Sequence, residues 1–233
     1  MDDSRTLYAG SATRTAERVS AFLTKVYGWM FIGLGITAAV AYFVASSPGL
    51  TAALMANRLV FFALIVIELG LVFFLSARVQ SLEPGAAAGL FVAYSALNGV
   101  TLSVILLAYT GASVATTFVV TAGMFGALAF FGTTTTRSLA GVGQFFFMGL
   151  IGLVLASIVG MFWHNDALQF LITVVGVIVF TGLTAWDAQR LKQMGAELPE
   201  GQGGAYAIVG AFSLYLNFVN LFLMLLRLQG RRD

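Results

Sequence analysis

Seven long apolar runs, separated by short polar breaks, set the rhythm of this chain. They cover about residues 26–46, 59–77, 85–109, 112–132, 142–162, 167–188 and 205–227. A helix needs about 20 apolar residues to cross about 30 Å of hydrocarbon, and each run supplies that length. Barrel strands of about 10 residues with strict alternation are not the pattern seen. The breaks hold turn and cap residues: SSPG at 46–49, SLEPG at 81–85, TG at 110–111, TTTTRS at 133–138, HND at 164–166 and ELPEGQGG at 197–204. The pattern predicts an all-α integral membrane protein, with one seven-helix transmembrane domain at 26–230 behind a polar N-terminal segment at 1–25. That segment has no secretory apolar core, so the first span is expected to direct insertion itself.

Hydrophobic residues make up 59% of the 233 and charged residues 9%, against about 25% charged in soluble domains. The net charge of +2 does not describe a nucleic-acid surface, because the Lys and Arg residues lie scattered at span ends and in the tails. Counting them orients the chain. With the N-terminus inside, Arg5, Arg14, Arg18, Lys25, Arg78, Arg137, Arg190 and Lys192 fall on the cytoplasmic side, and Arg58, Arg227, Arg231 and Arg232 on the other. That asymmetry favours a cytoplasmic N-terminus. The basic tail pulls the other way, and a re-entrant segment would put both ends inside; seven full spans are the preferred reading. There is no cysteine, which removes disulfides, thiolate metal ligands and cysteine nucleophiles. Glycine is abundant at 26 residues, and spacings such as GAAAG at 85–89 predict close helix packing in lipid.

In so apolar a chain, the polar residues within the spans are the informative ones. Glu68 lies ten residues from both Arg58 and Arg78, near mid-membrane, with no Lys or Arg within a helical turn. An ionised side chain there costs about 2.5–3.5 kcal/mol on insertion scales. Glu68 therefore either serves an ion path or sits uncharged and hydrogen-bonds two helices together. Asp187, twenty residues beyond Ala167, falls at the hydrocarbon edge. It is either a working part or an interfacial acid paired with Arg190 at i+3, a pair worth about 0.2–0.5 kcal/mol. Asn98, Asn217 and Asn220 are expected to hydrogen-bond across helices.

Several membrane-enzyme chemistries fail by absence. A retinal Schiff base needs a lysine in the last span, but Lys25 and Lys192 are the only lysines and both lie at span edges. An intramembrane serine protease needs Ser facing His, yet the one histidine, His164, lies in a break. Neither H-E-x-x-H nor GxxxxGK[ST] occurs. An aspartyl protease needs two opposed aspartates, and the spans offer Asp187 alone. No enzyme and no resident cofactor are expected.

Ordered stretches then point to a family. YSALNGVTLSVILLAY (94–109), TAGMFGALAFFGTTTTRSLAGVGQFFFMGLIG (121–152), GLTAWDAQRLK (182–192) and LYLNFVNLFLMLLRLQG (214–230), with VYGWMFIGLGITA (26–38), resemble the Bax inhibitor-1 family. These are the transmembrane Bax inhibitor motif proteins, here in their bacterial YccA-like branch. The resemblance covers nearly the whole chain from about residue 20. It implies a fold in which the last helix is surrounded by the other six. It also implies a pH-sensitive Ca²⁺ leak, governed in the family by an aspartate on the sixth helix paired with one on the last. A second-helix arginine latches onto that pair, and a second-helix acid contributes to the cation path. Position by position, Asp187 matches the first aspartate, Glu68 the second-helix acid and Arg78 the arginine. The chain departs at one position. Where the family motif has LYLDF it has LYLNF, so Asn217 replaces the second aspartate.

Two touching carboxylates cannot both ionise cheaply, and an amide in place of one removes that repulsion. The sequence leaves open whether the family's proton switch survives the change; a cation path does not depend on it. The resulting expectation is a pH-sensitive Ca²⁺ leak channel of the bacterial inner membrane. Glu68 and Asp187 are its oxygen ligands for weak, transient Ca²⁺, and Asn217 and Arg78 belong to the gate. Its partners are then membrane lipid and Ca²⁺, without nucleic acid. The alternative is a non-conducting regulator that binds another membrane protein, such as a quality-control protease, through its polar N-terminal residues.

Overall fold

The computed structural model describes residues 3–78, 81–163, 165–199 and 203–231. Among them are eight helices: α1 Asp3–Ala45, α2 Pro48–Ala56, α3 Arg58–Arg78, α4 Pro84–Leu106, α5 Gly111–Thr134, α6 Ala140–Phe162, α7 Asp166–Glu197 and α8 Gly203–Gln229. All but α2 are long and apolar enough to cross a membrane, and they match the seven runs in order. Helices are the expected solution, because hydrocarbon leaves no water to satisfy a backbone N–H or C=O. The breaks work as their residues suggest. Proline opens α2 and α4, where its missing N–H costs nothing. Thr110 caps α5 by accepting from Ser113 N–H at 3.2 Å, and Asn165 caps α7 by accepting from Leu168 N–H at 3.1 Å.

Three boundaries differ from those expected. α1 begins at Asp3, so the polar N-terminal residues and the first span share one continuous helix. α7 runs on to Glu197, well past residue 188. Its tail DAQRLKQMGAE is rich in good helix formers, and hydrophobicity marks only the part that lies in lipid. The short α2 occupies the break between the first two spans, started by Pro48 and carried by the alanines of TAALMA. His164 and Arg232 lie outside the described residues.

α8 is the central helix. Along its most apolar stretch 72% of the residues are buried within the protein, against 11% for α3 and 11% for α6. α1, α4, α5 and α7 pack directly on it, while α3 leans on α4 and α6 on α7 to complete the ring. Phe91 and Tyr94 of α4 meet Phe212 and Tyr215 of α8 edge to face, with ring centroids 4.8–5.9 Å apart. A second cluster joins Leu221, Met224 and Leu225 to Val179 of α7 and Leu153 of α6. The far end of α8 is tied down. Thr110 N–H donates to the Arg231 carbonyl at 3.0 Å, and Arg231 N–H donates to Ser113 Oγ at 3.0 Å.

The close glycine contacts are not where GAAAG suggested. A methyl at Gly85 or Gly89 would meet open space; it is Ala87 between them that is buried. Backbones approach closely at Gly99, where an added Cβ would lie 2.7 Å from the Thr37 carbonyl, and at Gly132, where it would strike the Ala185 carbonyl. The first contact seats α1 on α4 and the second seats α5 on α7, beside Asp187.

Candidate ion-path site

The polar side chains of the spans gather in two places on either side of α8. The first is built on α3. Its outer face is greasy, with Ile67 50% and Leu69 53% exposed, while Glu68 between them is only 8% exposed and turns toward α4. Asn98 and Thr101 receive it, spaced i, i+3 and so on one face of α4. Thr101 Oγ1 donates to Glu68 Oε1 at 2.6 Å, and Asn98 Nδ2 donates at a long 3.4 Å to Oε2. On its other side, Asn98 Oδ1 accepts from the Tyr215 hydroxyl at 3.0 Å. That hydroxyl lies 2.7 Å from Thr37 Oγ1, which itself donates to the Ser95 carbonyl at 2.9 Å. A chain of hydrogen bonds thus runs from α3 through α4 and α8 to α1.

Its protons can be counted. Tyr215 and Thr37 have one hydroxyl hydrogen each, yet three contacts draw on them: Tyr215 with Asn98, Tyr215 with Thr37, and Thr37 with Ser95. One contact is short of a hydrogen. Turning the Asn98 amide over, a choice that heavy-atom positions do not fix, supplies it from Nδ2. The amide oxygen then faces Glu68, and that contact needs a proton on the carboxyl group. The cluster therefore has two hydrogen arrangements, one suited to an ionised Glu68 and one to a protonated Glu68.

The second place is the seam between α7 and α8. Asn217 Nδ2 donates to Asp187 Oδ2 at 2.7 Å; Asn217 is buried and Asp187 half-buried. They meet because both are counted from the shared α7–α8 connection. Asp187 lies ten residues before Glu197 and Asn217 fourteen after Gly203, about 15 and 21 Å at 1.5 Å per residue. Counting from the start of α7 had placed Asp187 at an edge; the helix simply continues. Arg190, at the i+3 position, acts on Asp187 through its charge without a direct ion pair. It is exposed, with its guanidinium 5.8 Å from the centre of the Trp186 ring. Further along, α7 clasps the α5–α6 connection: Gln189 Nε2 donates to the Arg137 carbonyl at 2.9 Å, and its Oε1 accepts from Leu139 N–H at 2.7 Å.

The structure therefore brings Asp187 to Asn217, and Glu68 to Asn98 and Thr101, but gives the two acids no common partner. Among the described residues no group of three or more acids or histidines is placed to hold a metal ion. Arg78 is exposed at the last position of α3, a helix that packs on α4 and α2; among the described residues no hydrogen bond joins it to Asp187 or Asn217. Asn220 does not reach across helices, because its Nδ2 donates to the Leu216 carbonyl of its own helix at 2.8 Å. Sequence reasoning missed Thr37, Thr101 and Tyr215. Only Thr101 left a signal, one turn after Asn98; the partners of Thr37 and Tyr215 lie 58 to 178 residues away.

Residues 19–233 match the family model described as Inhibitor of apoptosis-promoting Bax1. The chain is 50% identical over 214 residues to Inner membrane protein YbhL of Escherichia coli K12, covering 91% of this chain and 92% of that one. It is 43% identical over 213 residues to an uncharacterized protein of Borreliella burgdorferi, at 91% and 92% coverage. An uncharacterized protein of Deinococcus radiodurans is 40% identical over 221 residues, 94% of each chain.

Proposed function

The chain belongs to the Bax inhibitor-1 family, and from that premise we propose that it is a cation leak pathway of the bacterial inner membrane, carrying Ca²⁺ past Glu68 and Asp187. It is a multi-pass membrane protein, and its relative YbhL is named an inner membrane protein. The Lys and Arg count favours a cytoplasmic N-terminus.

The observation that carries the reading is the company the two acids keep. Each is held inside the bundle by neutral donors, Thr101 and Asn98 for Glu68 and Asn217 for Asp187. A carboxylate bonded to a hydroxyl or an amide can exchange those donors for a passing cation, whereas one locked to a buried guanidinium leaves a costly charge behind. Ca²⁺ takes about 6–8 oxygens. Two separate acids with a few amide, hydroxyl and carbonyl oxygens each give weak stations, which is what conduction requires. In this reading, donors seated on both acids correspond to a resting pathway. Its response to pH rests on Asp187 without a second aspartate.

Ca²⁺ flux into proteoliposomes tests the reading. Glu68→Gln and Asp187→Asn are each expected to lower flux about tenfold or more, the equivalent of about 1.4 kcal/mol at the barrier. Unchanged flux in both rejects the roles. Asn217→Asp restores two facing carboxylates, which share a proton, and is expected to make flux depend more steeply on acid pH than in the native chain. An unaltered pH profile removes position 217 from any switch.

A further inference from the structure

A cleft of about 1000 Å³ opens between α1, the α5–α6 connection and the last turns of α7. It is separate from the two carboxylate stations, neither of which lines it. Its walls run from Thr15 to Tyr27 on α1, from Thr135 to Ser138 on the connection, and from Gln189 to Ala196 on α7. Three apolar runs stop at its floor: the first begins at 26, the fourth ends at 132 and the sixth at 188. The cleft therefore starts at the hydrocarbon edge and rises through the layer that lipid headgroups occupy. Tyr27 at its base is the residue type favoured at that boundary.

Its chemistry is one-sided. Among the described residues no carboxylate lines it, and its one charged group is the ammonium of Lys192. That ammonium spends one hydrogen on the Thr133 carbonyl at 2.6 Å, which leaves two for a ligand. Gln189 is held by its two bonds to the α5–α6 connection, so it shapes the wall. Gln193, Thr136 and Ser138 stand exposed beside Lys192 with donors to offer. Val19 and Leu23 supply an apolar strip on the facing helix. A positive charge, neutral donors and a greasy strip at headgroup depth suit a phosphate that carries hydrocarbon, and they repel a metal cation.

We propose that this cleft binds the headgroup of an anionic phospholipid from the leaflet at which α1 begins, with Lys192 as counter-charge to the phosphate and Gln193, Thr136 and Ser138 as its hydrogen-bond donors. The test uses the purified full chain in neutral detergent, titrated with phosphatidylglycerol or with phosphatidylcholine, and counts bound lipid by native mass spectrometry. Phosphatidylglycerol is expected to bind in preference. Gln193→Glu keeps the side-chain size, leaves the Lys192 bond to Thr133 intact and puts a negative charge in the cleft; it is expected to weaken binding about fivefold, the contribution of one charge near an anionic surface. Lys192→Gln should lose a similar factor and Lys192→Arg recover it, while Lys25→Gln, outside the cleft, leaves binding as it was. Equal binding of the two lipids, or native affinity in Gln193→Glu, overturns the proposal. So does binding of inorganic phosphate alone that is lost in Gln193→Glu without any preference between the lipids, because the cleft would then serve a soluble anion.

Discussion

Glu68 and Asp187 approach the central helix from opposite sides, and their surroundings are built on different plans. Glu68 stands at the end of a hydrogen-bond chain that passes through Asn98 and Tyr215 to Thr37, with every member buried. Asp187 is half-buried and takes one hydrogen bond, from Asn217, on a helix whose next turns carry Gln189, Arg190 and Lys192. Buried polar networks rigidify what they connect, so the Glu68 side fixes four helices relative to one another. A single bond at a seam near polar residues can be exchanged for water or for an ion. The difference teaches that one acid is positioned and the other is poised.

The contrast is broken most directly at the two asparagines. Asn98→Leu removes one buried hydrogen bond from Glu68 and one from the Tyr215 hydroxyl, leaving them Thr101 and Thr37, and is expected to cost about 2 kcal/mol of stability. Asn217→Leu, which removes the single hydrogen bond to half-buried Asp187, should cost about 1 kcal/mol. Thermal or denaturant unfolding in detergent measures both, and equal losses would erase the distinction. Next in size is the α5–α7 contact that backs Asp187. Gly132→Ala drives a methyl group into the Ala185 carbonyl and is expected to cost about 1–2 kcal/mol by overpacking. Gly89→Ala, facing open space, should be neutral or gain up to about 1 kcal/mol in helix propensity. A tolerated Gly132→Ala would mean that the α7 seam is looser than drawn. The smallest effect belongs to Arg190. Arg190→Gln removes an exposed stacking contact with Trp186, worth about 0.5 kcal/mol; a loss several times larger would reveal an ion pair with Asp187 after all.

The seven spans were legible because lipid imposes one rule on every residue of a span, and a run of about 20 apolar residues is its direct record. The helical extensions of α1 and α7 obey no such rule. They are polar, so counting hydrophobic residues ended α7 near 188 and left Asp187 at an apparent edge, away from Asn217. Glu68 was legible as an acid buried within a span, and Asn98 and Asn217 as cross-helix bonders. Asn220 was not distinguishable from them, since an asparagine that bonds back to its own helix looks the same in sequence. GAAAG failed for a related reason: small residues permit a close approach, but only the neighbouring helix decides which face it occurs on. Thr37 and Tyr215 stayed hidden because a hydroxyl at 37 and one at 215 become partners only when α1 and α8 lie side by side.

The fastening of the last helix beyond Gln229 has a mechanical consequence. With the Arg231 backbone clipped to the α4–α5 corner through Thr110 and Ser113, the tip of this rod cannot slide along its axis without breaking both bonds.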